Sequence, residues 1–201
     1  MMADFFKTIS LPVDGIYKEK GSKFLAFAYP VKSKNEIEVI IQKIKKDYAD
    51  ARHICFAWML GAERLDFKVN DDGEPSGTAG RPVLGQINAR ELSNILVVVV
   101  RYFGGVLLGT GGLIQAYKEA ASDALNKAEI VECQVYKSFK VIFGYQHQSL
   151  VLRILKEYET EIISRELTVD CTLFIRVPLK YASLLENAIQ KIYGVNIFFD
   201  E

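Results

Sequence analysis

Asp71-Asp72-Gly73-Glu74-Pro75-Ser76-Gly77-Thr78-Ala79-Gly80-Arg81-Pro82 is followed by Leu96-Val97-Val98-Val99-Val100, then Arg101-Tyr102-Phe103-Gly104-Gly105 and Gly109-Thr110-Gly111-Gly112. The aliphatic run reads as a strand inside a sheet, covered on both faces. An acidic glycine loop stands before it, an arginine ends it, and a glycine turn opens the helix that follows. Glycine loses more backbone freedom on folding than any other residue, so loops this rich in it mark a surface that must be shaped. Strand-end loops of one sheet converge. Asp71, Asp72, Glu74, Ser76, Arg81, Arg101, Tyr102, Gly105, Gly109, Gly111 and Gly112 are therefore expected on one binding surface, with His53 and Lys118 beside them.

Working outward, residues 13 to 31 read as a strand pair turned near Gly21-Ser22. Ser33 and Glu36 form a capping box, in which each side chain satisfies a free backbone donor. The helix that follows carries Ile37, Ile40, Ile41, Ile44 and Tyr48 on one face and lysines on the other. Residues 51 to 60 read as a strand apolar on both faces, and residues 64 to 69 as a short one. A short helix is expected within 78 to 90, with Pro82 in its first turn. A long helix over 110 to 127 should turn Leu113, Ile114, Tyr117, Ala120, Ala121, Ala124 and Leu125 inward.

The texture changes near residue 130. Residues 133 to 143 alternate, a helix follows with Leu150, Val151, Ile154, Leu155 and Tyr158 inward, and residues 161 to 166 and 169 to 177 read as strands. In the second strand Val169, Cys171, Leu173, Ile175 and Val177 share a face. A helix with Leu184, Leu185, Ala188, Ile189 and Ile192 inward precedes a last strand at 195 to 199. The order β-α-β-β-α-β is the ferredoxin-like unit. The predicted class is α+β, with domains 1–130 and 131–201.

Composition narrows the function classes. The 201 residues are half hydrophobic, and 25 basic side chains balance 25 acidic ones, so whole-chain charge gives nucleic-acid binding no support. Cys55, Cys133 and Cys171 are far apart and odd in number, as in reduced thiols. With two histidines, His53 and His147, the chain has few zinc ligands. No signal peptide or membrane-length apolar run is seen, and a cytoplasmic location without membrane attachment is expected. No metal, cofactor or catalytic residue is predicted.

Each chemistry-bearing feature has a plain alternative. Carboxylates from 71 to 74 suit a hard cation; an EF-hand register centred on Gly73 puts Lys68 and Ala79 at ligand positions, so that motif fails and a loose magnesium site through Asp71, Asp72 or Glu74 is the metal alternative. A tight turn at Asp72-Gly73 with Ser76 or Thr78 capping the next helix is the favoured reading. The 109–112 turn matches neither common nucleotide fingerprint. Its helix N-terminus suits an anion, or else Thr110 simply caps the helix. Arg101 suits an anion or a salt bridge to Asp71, Asp72 or Glu74. His53 and Cys55 are a base-nucleophile spacing or two neighbours on a strand.

These same residues carry a family resemblance. Asp71 to Pro82, Val97 to Gly112, Gly21-Ser22-Lys23-Phe24 and Ala51-Arg52-His53-Ile54-Cys55 resemble the signature of the IMPACT/YigZ family over roughly residues 15 to 128. The C-terminal part resembles the small domain of bacterial two-domain members, which is similar to a ferredoxin-like domain of elongation factor G. The resemblance implies a first domain of left-handed βαβ, ribosomal-protein-type fold and a role in translational control. It carries over no catalytic residues. Gln115 stands where bacterial members often have arginine, which weakens a basic groove there, and Lys118 offsets this in part.

The leading expectation is a non-enzymatic regulatory binding protein linked to translation, with RNA, the ribosome or a ribosome-associated protein as partner. An open sheet face in the second domain adds Tyr136 and Phe174 as outward aromatics able to stack on bases. The rivals are an enzyme or small-molecule phosphate binder using Arg101 and the glycine turn, and a pure protein-interaction module.

Overall fold

The computed structural model describes residues 4–199. Its elements are β1 (Phe5–Ile9), β2 (Val13–Glu19), β3 (Ser22–Pro30), α1 (Lys34–Asp47), β4 (His53–Leu60), β5 (Asp66–Asn70), α2 (Gly80–Ala89), β6 (Ile95–Tyr102) and α3 (Gly109–Asn126). They continue with β7 (Ile130–Gln134), β8 (Tyr136–Phe143), a 3-10 turn (Tyr145–His147), α4 (Gln148–Glu157), β9 (Glu161–Leu167), β10 (Cys171–Pro178), α5 (Leu179–Gln190) and β11 (Val195–Phe199). The architecture is α+β, and the chain divides into two compact units: residues 6–133, and residues 134–199 with residues 4 and 5.

The first unit is built on an antiparallel sheet of order β2-β3-β6-β4-β5. Both β3 and β4 run antiparallel to β6, so they are parallel to each other, joined through α1 with β6 inserted between them. The valine run explains the layering. Ile95, Val97 and Val99 enter one core with α2 and α3, while Leu96, Val98 and Val100 enter another with α1. β4 splits the same way, with Cys55, Ala57 and Met59 on the first side and Ile54, Phe56, Trp58 and Leu60 on the second. A strand buried on both faces has no polar side to show, hence the unbroken apolar runs.

Local chemistry fixes the ends. Ser33 Oγ accepts from the Glu36 N–H at 3.2 Å, and Glu36 reaches one residue further back than a capping box requires, accepting from Lys32 N–H at 2.7 Å. Gly15 is required by packing, because a Cβ there would collide with the backbone of Ala124 where β2 lies against α3.

The second unit has the order β8-α4-β9-β10-α5-β11 and a four-stranded antiparallel sheet of spatial order β11-β8-β10-β9. One face of this sheet packs Phe139, Val141, Phe143, Leu173, Ile175 and Val177 against Val151, Leu155, Leu185 and Ile189 of α4 and α5.

Several expectations need correction. β1 is not expected from the sequence, and of β7 only residues 133 and 134 are, as the start of a strand running to 143; β1 and β7 pair with each other as a two-stranded ribbon, and β8 begins separately at Tyr136. Ile114, Leu184 and Val169 are exposed at 42%, 53% and 90% rather than inward. Ile114 and Leu184 each lie beside the buried stripe of their helix, and Val169 sits in the turn before β10 begins.

Candidate functional site

The acidic loop is held by its own carboxylates. Asp71 accepts from the backbone N–H of Gly77 at 2.8 Å, Ala79 at 3.1 Å and Gly80 at 2.8 Å. It thereby supplies the cap that α2 lacks locally, where Ser76 or Thr78 was expected to act. Thr78 instead donates its hydroxyl to the Pro75 carbonyl at 2.7 Å. Burial alone would raise the Asp71 pKa, but the N–H groups of Gly77, Gly80 and Ala79 and the charge of Arg81 outweigh it and hold the carboxyl below its ordinary range. Asp72 accepts from the Ile54 N–H at 2.7 Å, which fastens the loop to the start of β4. Among the described residues no three histidine, cysteine, aspartate or glutamate side chains converge as a metal site.

This anchoring swings Glu74 inward. Its side chain is 3% exposed, and one oxygen, Oε1, accepts from Arg101 Nη1 at 2.6 Å and from the Tyr117 hydroxyl at 2.8 Å. Tyr117 comes from α3, and the single proton of Cys55 Sγ is shared between the Asp71 carbonyl at 3.1 Å and the Tyr117 hydroxyl at 3.3 Å. Burial pushes the Cys55 thiol up to about 12 and raises the Tyr117 phenol as well, so both stay protonated donors. Arg101 lies beside the rings of Phe24 and Phe103, its guanidinium carbon 5.5 and 5.8 Å from the two centroids.

His53 stands at the rim. Its Nδ1 lies 2.7 Å from the Asp72 carbonyl oxygen. A carbonyl can only accept, so Nδ1 carries the proton and Nε2 is turned to the Glu74 side, 3.9 Å from Oε1. Arg52 is tied to the same corner, its N–H donating to the Arg101 carbonyl at 3.0 Å. Together these groups wall a cavity of about 620 Å³ lined by Arg52, His53, Glu74, Pro75, Arg101, Phe103, Leu107, Leu108, Gly109, Thr110 and Leu113.

Of the residues singled out from the sequence, His53, Glu74, Arg101 and Gly109 line this cavity, and Asp71 and Asp72 hold its loop. Ser76, Gly105, Gly111 and Lys118 are exposed and do not line it; nor does Gly112. Arg81 is exposed beside Asp71. Tyr102 points to the opposite side of the sheet, its hydroxyl donating to Asp50 at 2.9 Å. Thr110 makes no side-chain cap for α3 but stands in the cavity wall. Sequence reading missed Arg52 as a wall residue, while Phe103 falls in the Arg101-to-Gly105 stretch expected on the surface. It took Tyr117 for plain core, since its partner Glu74 lies 43 positions away.

A second surface lies on the sheet of the second unit, on the face away from α4 and α5. Phe174 of β10 pairs across to Lys140 of β8, and Lys140 pairs across to Phe198 of β11. The three form one row over adjacent strands, with Lys140 Nζ 5.4 Å from the Phe174 ring centroid and Phe198 half exposed. On the same face the Arg176 guanidinium lies 4.7 Å from the Tyr136 ring and pairs with Glu161 at 2.6 Å. Phe198 adds a third outward aromatic to the Tyr136 and Phe174 expected from sequence.

The Impact N-terminal domain matches residues 20–125, the stretch that holds the whole cavity. An IMPACT family member of Haemophilus influenzae is 35% identical over 164 residues, covering 80% of this chain and 79% of its own. IMPACT family member YigZ of Escherichia coli is 31% identical over 179 residues, covering 87% and 86%. YvyE of Bacillus subtilis is 46% identical over 136 residues, covering 68% and 63%. A solved structure described as a hypothetical protein superposes with a TM-score of 0.77 at 26% identity, covering 99% of this chain and 98% of that one. With the domain match, the relatives spanning both units and the shared architecture in agreement, this chain belongs to the IMPACT/YigZ family.

Proposed function

We propose that the chain is a non-enzymatic regulatory binding protein linked to translation, and that it holds single-stranded RNA on the open sheet face of its second unit. The observation that carries this reading is the row Phe174–Lys140–Phe198. Two rings flanking a cation across three adjacent strands offer stacking surfaces for successive bases and a charge for the phosphate between them. The strand order and spatial order of the second unit support a ferredoxin-like fold, which several RNA-binding modules share; by itself that likeness is analogy. For the first unit we adopt the left-handed βαβ fold that the family resemblance implies. We treat the two units as separate domains joined near residue 130.

Few cations stand on this face, and Arg176 is already paired with Glu161. Binding should therefore be weak, tolerant of sequence and only shallowly dependent on salt. Fluorescence anisotropy with a labelled ten-nucleotide single strand tests it. Wild type should bind at low salt, and Phe174→Ala with Phe198→Ala should weaken binding by about tenfold or more, since one base-aromatic stack contributes about 1–3 kcal/mol. Equal affinity in the double variant, or no binding by wild type, rejects the reading.

A further inference from the structure

We infer that the Arg101 cavity of the first unit binds a small organic phosphate, a phosphate monoester head carried on an apolar or aromatic body. This site is separate from the RNA-binding face and does not depend on it. The first observation is an incomplete arginine. Arg101 is 5% exposed, its Nη1 is committed to Glu74, and its buried Nε has no acceptor among the described residues; Nη2 has none either. Nε and Nη2 carry parallel N–H bonds on one edge of the guanidinium, the fork that matches two oxygens of an oxyanion. Buried donors are rarely left unpaired in folded proteins, so the orphaned Nε points to a missing acceptor, which Nη2 on the same edge can share.

The second observation is the start of α3. This 18-residue helix opens at Gly109 with no side-chain cap and no acidic residue in its first turn. Its first N–H groups have no partner within the helix, and the helix dipole places partial positive charge there. Gly109 and Thr110 form part of the cavity wall with Arg101, and Arg52 closes the same wall.

Donors thus arrive from β6, from the α3 terminus and from Arg52. A carboxylate has two oxygens in one plane, and a bidentate contact with the arginine fork turns both toward Arg101. A phosphate monoester has three terminal oxygens and can engage all three sources. Glu74 cancels one of the two arginine charges, so Arg52 and the helix end supply the excess positive potential. Apart from His53 the remaining wall is apolar, with Leu107 84% and Phe103 49% exposed at positions where a ligand body would cover them. At about 620 Å³ the space falls within the range of small-molecule sites.

Isothermal titration calorimetry of the full chain with phenyl phosphate, benzoate and inorganic phosphate tests the proposal. Phenyl phosphate should bind one to one and more tightly than either comparator. Arg101→Lys keeps a cation for Glu74 but removes the fork, and it should weaken phenyl phosphate binding by about tenfold or more. Arg52→Ala alters an exposed side chain and should weaken it by about tenfold. If Arg101→Lys fails to fold, Arg52→Ala decides alone. No saturable binding of phenyl phosphate by wild type at millimolar concentration overturns the proposal, as does unchanged affinity in the folded variants. Benzoate binding as tightly as phenyl phosphate overturns the assignment to phosphate.

Discussion

Arg101 and Glu74 meet at 2.6 Å in the interior of the first unit, with side chains only 6% and 3% exposed. A buried pair of this kind contributes little net stability, but breaking it leaves a charge without a partner. Glu74→Ala should therefore destabilise the first unit by about 3–5 kcal/mol, whereas Glu74→Leu combined with Arg101→Met should recover a large part of that loss. Urea denaturation followed by the fluorescence of Trp58 reads both. A double variant less stable than the single one would contradict the pairing.

Asp71 acts as the distant cap of α2, accepting three backbone N–H groups. Its folded pKa lies below the ordinary carboxylate value. A depressed carboxyl stabilises the fold fully above its unfolded pKa, and that contribution disappears as pH falls through the folded pKa. Asp71→Asn should cost about 1–3 kcal/mol near neutral pH and much less in strong acid. Chemical denaturation across pH 2 to 7 (a range set by the usual carboxylate pKa of about 4) checks this. A loss that stays constant over the range would contradict the capping role.

The Cys55 thiol is pushed up to about 12 by burial, and Cys171 is also buried, while Cys133 is partly exposed. Thiolates are the reactive species. A disulfide reagent at mildly alkaline pH should therefore label Cys133 quickly in the native protein, with Cys55 and Cys171 following only on unfolding. Rapid native labelling of Cys55, read by peptide mass spectrometry, would contradict its place in the Tyr117–Glu74 network.

Gly104 follows the end of β6 where a Cβ would collide with the backbone of Gly21 and Ser22. Gly104→Ala should cost about 1–3 kcal/mol through overpacking. Gly85→Ala meets open space and should be neutral or slightly stabilising by helix propensity. Thermal melts of the two variants separate close approach from a general intolerance of alanine.

Much of the layering was legible in the sequence, because the valine run and the apolar strand before it have no polar face and must sit between two covers. The second unit was legible for the opposite reason, since Leu173, Ile175 and Val177 alternate cleanly with exposed or half-exposed neighbours. What escaped depends on long-range partners. β1 is five residues and is recognisable only by its pairing with β7. Asp71 caps a helix up to nine residues downstream, where local capping rules look for Ser76 or Thr78. Tyr117 fits a helical core stripe whether or not its hydroxyl meets a carboxylate, so periodicity could not separate the two. Arg101 was legible as an arginine with an acidic partner, but the choice of Glu74 over Asp71 or Asp72 follows from the way the loop folds back on itself.

The most direct test of RNA binding on the second-unit sheet is a titration of isotope-labelled protein with an unlabelled single strand, followed by amide nuclear magnetic resonance. Shifts should concentrate on β8, β10 and β11 around Lys140, Phe174 and Phe198, with Phe139 and Leu173 on the covered face moving less. Shifts confined to residues 6–133, or absent altogether at saturating RNA, would contradict it.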